Sequence, residues 1–159
     1  MLLKGWRSTA KRSPPTATAL CRFFFSDAAI EGAARRLFEA GLVNRRRLPG
    51  DEWVDRSLAN RVEFTSYFQA VITRIAWHEN WSLPGLDETT RRLLVIAITA
   101  TPGRWEESAL HVRSGLEKGE FSKGELKEVL LQIAIYSGVP AANSAFTEEA
   151  RVIENRGKS

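Results

Sequence analysis

Between Asp87 and the breaker pair Pro102-Gly103 the chain reads Glu88-Thr89-Thr90-Arg91-Arg92-Leu93-Leu94-Val95-Ile96-Ala97-Ile98-Thr99-Ala100. No other stretch limits the possible folds so strongly. The run from Leu93 to Ile98 has no apolar–polar alternation, so it does not suit a half-buried strand. Its length, an aspartate placed to cap its start and a proline–glycine stop all describe a helix, with Glu88 favourable in the first turn. Such a helix is apolar on nearly all sides. It is therefore expected to be the central buried helix or to line a subunit interface.

The same punctuation recurs along the chain. Asp27 can cap a helix whose stripe is Ile30, Ala33, Ala34, Leu37 and Leu42, with Gly41 expected to end it. Asn44 to Glu52, with Pro49-Gly50 inside it, reads as a loop. A long helix is expected from about Val54 to Trp77, followed by a turn through Trp81-Ser82-Leu83-Pro84-Gly85-Leu86. Trp105 to Lys118 reads as another helix. Ser122-Lys123-Gly124-Glu125 is a capping box opening the next, with Leu126, Val129, Leu130, Ile133 and Ala134 as its stripe. Gly138-Val139-Pro140 closes that helix, and Pro140 suits the first turn of a last one. No segment shows period-two alternation bounded by hairpin turns. The expectation is an all-α bundle of about six helices.

A chain of 159 residues allows one domain with a sizeable core. It holds no window of about eighteen apolar residues, so no membrane span is expected. The formal net charge of +4 is unevenly spread. Lys4, Arg7, Lys11, Arg12 and Arg22 place five positive charges and no acid in residues 1–26, while the other 133 residues carry 18 basic and 19 acidic groups, a net −1. A nucleic-acid footprint is thus not expected in the body. The basic, acid-free segment Met1 to Ser26 reads as a targeting presequence, ending in Arg22-Phe23-Phe24-Phe25-Ser26, with a basic disordered tail as the alternative. It implies the mitochondrial matrix in a eukaryote and the cytoplasm otherwise. Residues 27–159 then form the single helical domain. The one cysteine, Cys21, lies in that tail, so the body can hold no disulfide, no CxxC pair and no thiolate metal site.

Only two histidines occur, His78 and His111. Glu107 precedes His111 by four residues, and positions i and i+4 lie one above the other on a helix face. The pair could be an acid–base couple, with the carboxylate favouring protonated imidazole. It could equally be a first-turn acid and a hydrogen-bonded helix histidine. The histidines lie thirty-three residues apart without a shared acidic cluster, so no metal is expected.

The chain resembles the carboxymuconolactone decarboxylase family over roughly residues 39–150. The matching stretches are Asp51-Glu52-Trp53-Val54-Asp55-Arg56-Ser57, Ile72-Thr73-Arg74-Ile75-Ala76-Trp77, Trp81 to Leu86, Thr90-Arg91 and Gly103-Arg104 through His111. They continue with Lys127-Glu128-Val129-Leu130-Leu131 and Gly138-Val139-Pro140-Ala141-Ala142-Asn143-Ser144-Ala145-Phe146. The resemblance implies the all-helical fold of the alkyl hydroperoxidase D-like proteins, assembled as trimers or hexamers. That peroxidase branch keeps cysteines seven and four residues before a histidine. Arg104 and Glu107 stand there, so its redox chemistry is not implied.

What the resemblance implies instead is cofactor-free decarboxylation of 4-carboxymuconolactone to the enol-lactone of 3-oxoadipate, in aromatic catabolism. Such a reaction needs carboxylate anchors, stabilisation of a developing oxyanion and a proton donor to carbon. His111 and Glu107 are expected in the last two roles. Arg91, with its bidentate fork, is the first candidate anchor, followed by Arg104 and Arg74. Trp77 and Trp81 would wall a small dry pocket. His78, Asn80 and Trp105 depart from the family pattern. They leave open an enzyme acting on another lactone or small acid, and beside it stands a non-catalytic helical oligomer.

Overall fold

The computed structural model describes residues 27–156, and among them it contains seven α-helices, one π-helical segment and no strand. The proposed presequence and Cys21 lie outside the described residues. Helix α1 spans Ala28–Arg47, α2 Asp51–Ala59 and α3 Glu63–Ile72. The π-helical segment Thr73–Asn80 continues α3 without a break. Then follow α4 (Glu88–Ala100), α5 (Trp105–Lys118), α6 (Lys123–Tyr136) and α7 (Val139–Arg156).

Locally encoded ends fall where the sequence puts them. The Asp27 carboxylate accepts from the backbone N–H groups of Ala29 and Ile30, at 2.7 and 3.2 Å. Asp87 accepts from Thr90 N–H at 2.8 Å. Ser122 and Glu125 close their box reciprocally at 3.1 and 2.7 Å. Gly119, with φ of 67°, ends α5 in the left-handed turn that glycine adopts without penalty.

Three expectations change. The loop expected from Asn44 to Glu52 shortens to residues 48–50, because α1 runs to Arg47 and α2 starts at Asp51. Gly41 does not end the first helix, which continues for nearly two more turns to Arg47, with Arg45, Arg46 and Arg47 complementing the negative end of its dipole. Gly41 is buried where α1 crosses the π segment. A Cβ there would lie 2.0 Å from the Thr73 carbonyl oxygen, so glycine is needed for close approach and not for termination. The long helix from Val54 to Trp77 is also interrupted. After α2 ends at Ala59, the chain restarts at Glu63 with Val62 N–H donating to Thr65 Oγ1 at 3.2 Å. The hydroxyls of Thr65 and Ser66 donate back to the Val62 carbonyl at 3.1 and 2.9 Å. These short side chains offer the backbone a capped start that competes with an unbroken helix.

The main core lies between α4, α5, α6 and α7, around Ile96, Ala100, Val112, Leu116, Leu126, Leu130, Ile133 and Ala145. A smaller cluster of Phe38, Ala70 and Leu42 joins α1 to α3. Helix α4 is thus buried along one side only. Leu94 and Ile98, on its other side, are exposed in the single chain.

Helix α1 packs along the π segment and α4 along α5. The C-terminal end of α1 joins these two pairs. The Leu48 carbonyl accepts from Ser114 Oγ, from Lys118 Nζ at 3.1 Å and from Arg92 Nη2 at 3.4 Å. Arg47 pairs with Glu88 across the same seam. Of the residues singled out in sequence, His111, Trp77 and Trp81 meet at this seam.

Candidate active site

His111 is buried on α5 and faces aromatic rings from the other side of the seam. Trp81 stacks on it at a centroid distance of 5.8 Å with planes 3° apart. Trp77 lies 6.2 Å from it at 14°, and the two indoles stack on each other at 6.0 Å and 11°. The π segment sets this up. Its wide turn closes with Trp81 N–H bonded to the Ala76 carbonyl five residues back, at 3.1 Å. Asn44 then ties down the exit, its Nδ2 donating to the Trp77 carbonyl at 2.9 Å and to Ser82 Oγ at 3.0 Å. Behind Trp77 stands Trp53, tilted by 57° at 6.4 Å, with the Arg45 guanidinium 5.1 Å over its ring.

The charged neighbour of His111 is Arg92, which is fully buried. Its Nη1 lies 3.4 Å from His111 Nδ1, and its guanidinium carbon sits 5.8 Å from the Trp81 ring centroid. Glu120 holds the other edge of the fork, accepting from Nε at 2.5 Å and from Nη2 at 3.0 Å. Glu88 adds a longer contact at 3.6 Å. Burial, and then the Arg92 charge, push the His111 imidazolium pKa down to about 3. The expectation of a carboxylate favouring protonated imidazole is thereby reversed.

Glu107 does not pair with His111. Its side chain is exposed, and no hydrogen bond or ion pair joins it to the ring. Residues four apart on a helix are offset by about 40° around its axis, enough to leave one at the rim while the other points inward. Burying an unpaired carboxylate among indoles is also costly. Glu107 thus stays on the solvent side, one turn from the ring.

The arginines divide. Arg91 is buried, and its Nη2 donates to the carbonyls of Leu83 and Leu86 at 2.9 and 3.4 Å, which braces the loop after Trp81. Arg104 is exposed at the start of α5, and Arg74 is half-buried on the π segment. His78 and Asn80 sit on that segment too, half-buried and exposed. Among the described residues no group of three or more His, Cys, Asp or Glu side chains is placed to hold a metal ion. No described helix is long and apolar enough to cross a membrane.

Arg92, Glu120, Trp53 and Asn44 are the site residues that sequence reasoning missed. One signal for Arg92 was available. Glu88 precedes it by four residues, the spacing of a helical ion pair. Glu120, in the turn beyond α5, carried none.

Known proteins resemble this chain over most of its length. The model of the carboxymuconolactone decarboxylase family matches residues 67–148. The chain belongs to that family. A 4-carboxymuconolactone decarboxylase of Acinetobacter baylyi is 39% identical over 120 residues, covering 76% of this chain and 89% of that protein. The nitrosuccinic acid decarboxylase npaB of Metarhizium robertsii is 34% identical over 130 residues, covering 82% of this chain and 90% of that one. No solved structure gives a significant match. With both relatives carboxy-lyases, this family member is a decarboxylase.

Proposed function

We propose that the substrate is 4-carboxymuconolactone, decarboxylated to the enol-lactone of 3-oxoadipate. The observation that carries the reading is the seam itself, where a buried imidazole, held neutral, lies against two indoles. The 39% identity to a protein named for this reaction supports it. The bond to CO2 breaks heterolytically, and its electron pair passes through the conjugated double bond onto the lactone carbonyl oxygen. His111 donates a hydrogen bond to that developing oxyanion in a low-dielectric site. Carbon then takes a proton, delivered from solvent by way of Glu107 at the exposed rim. Arg91, through its Nη1 and Nε, and Arg104 and Arg74 nearer solvent are the candidate anchors for the carboxylates.

A second reading rests on the relative that acts on nitrosuccinic acid. There too a carboxylate departs beside an electron acceptor, so the same seam would serve a small nitro acid. Loss of the carboxymuconolactone ultraviolet absorbance on adding purified protein tests the first reading. No loss, with turnover of nitrosuccinate, would establish the second.

The exposed apolar side chains Leu94 and Ile98 on α4, and Leu131, Ile135 and Tyr136 on α6, support assembly as a homo-oligomer. A single species of 17.8 kDa in light scattering would refute this assembly.

A further inference from the structure

An arginine side chain only donates hydrogen bonds, and it stays charged in proteins. Arg92 Nη1 points at Nδ1 of His111 from 3.4 Å, so Nδ1 must be the acceptor. The single proton of a neutral ring then sits on Nε2. We infer that Arg92, held by Glu120, is a positioning residue that fixes His111 as its Nε2–H tautomer, so that the ring meets substrate as a neutral hydrogen-bond donor and not as an imidazolium acid. The inference rests on the reading of His111 as the group that faces substrate.

The guanidinium has little freedom to do anything else. Nε and Nη2 are both committed to the Glu120 carboxylate, and Nη2 also reaches the Leu48 carbonyl. A Cβ on Gly115 would lie 2.8 Å from Arg92 Cδ, so the stem of the side chain is held between α5 and α4. Glu120 is itself fixed, its backbone carbonyl accepting from Thr89 Oγ1 at 3.1 Å. Other charged groups stand farther off. Glu88 on α4 contacts Arg92, Lys118 at the end of α5 bonds to the Leu48 carbonyl, and Glu149 on α7 accepts from Ser108. None of these bonds to the ring.

This arrangement suits the chemistry. An imidazolium would attract the carboxylates of the bound substrate as strongly as the oxyanion formed later. A neutral N–H donor gains chiefly as the oxygen becomes anionic, and only that difference accelerates the reaction.

The test is nitrogen NMR of ligand-free protein labelled at histidine, where the two histidines give two ring systems and His78→Gln assigns them. The expected spectrum has His111 Nδ1 unprotonated and Nε2 protonated, unchanged between about pH 5 and 8. A doubly protonated ring at neutral pH, or a proton on Nδ1, would overturn the inference without any variant having to fold. In Glu120→Gln and Arg92→Lys the two tautomers should mix, with kcat falling about 10²-fold and KM nearly unchanged. An unaltered His111 spectrum in both variants would overturn it, as would a raised KM at constant kcat, which would make Arg92 a substrate anchor. The spectrum is recorded without substrate, so failure to turn over carboxymuconolactone would leave it standing.

Discussion

Gly41→Ala is the sharpest perturbation of the scaffold that carries the site. The new Cβ would lie 2.0 Å from the Thr73 carbonyl oxygen, 2.9 Å from its carbon and 3.3 Å from His78 Cβ. Ordinary contact begins near 3.4 Å, so α1 and the π segment must separate by roughly 1 Å or more. A side chain could rotate aside, but a backbone carbonyl inside a helix cannot. Overpacking of this kind costs about 1–3 kcal/mol, and a rigid neighbour places Gly41 at the upper end. Alanine returns about 1 kcal/mol of helix propensity, leaving a net loss of about 2 kcal/mol. For a domain of this length that lowers Tm by roughly 4–8 °C, at about 2–4 °C per kcal/mol. Gly124→Ala is the control, because its Cβ meets only Ser122 Oγ at 3.5 Å. Thermal melts followed by circular dichroism read the difference. The near-ultraviolet signal of the Trp77–Trp81 stack should weaken in the same variant. A Gly41→Ala protein that melts at or above the wild-type temperature would refute the close-approach argument.

His111→Gln should abolish turnover while the fold persists, and near-normal turnover would reject the assignment. It should also change the acid limb of stability. Folded His111 takes its proton only at about 3, against 6.5 when unperturbed. Between these values the unfolded chain binds more protons, so wild-type stability falls as pH falls, by up to about 1.4 kcal/mol per unit. The variant lacks that slope, and parallel wild-type and variant curves of Tm against pH would contradict it. Glu149 behaves oppositely. Burial raises its pKa despite the Ser108 hydrogen bond, and its Oε2 has no partner. Its stabilising neutral form is present below the unfolded pKa and lost as pH rises through the folded one. Glu149→Gln should therefore gain on the wild type at alkaline pH, and an advantage confined to acid would count against this. Glu107→Gln should lower kcat by roughly 10²-fold with the melt unchanged, as expected for loss of a proton route. Wild-type kcat in that variant would remove Glu107 from the proposed step.

What could be read from the sequence follows from how local the cause is. Asp27, Asp87 and the Ser122–Glu125 box act within three residues, and all three ends lie where the residues say. Gly41 carries the same letter as a helix stop. Its role depends on Thr73, thirty-two positions away, and no periodicity reports that crossing. The π-helical turn is hidden for the same reason, because Thr73–Asn80 has no composition that separates it from an α-helix.

The site divides along the same line. His111, Trp77 and Trp81 were visible as residue types suited to chemistry, and they meet across the seam. The choice between Arg91 and Arg92 was not visible, since neighbours on a helix point about 100° apart and only packing decides which one turns inward. That choice sets the chemistry. With Glu107 beside the ring, His111 would be an imidazolium able to give up a proton. With the ring buried and Arg92 there, the proposed role is that of a neutral donor that stabilises charge, with the proton coming from elsewhere. The group four residues away in sequence suggested an acid, but burial of the ring, and then the charge of the group nineteen residues away, favour the neutral histidine.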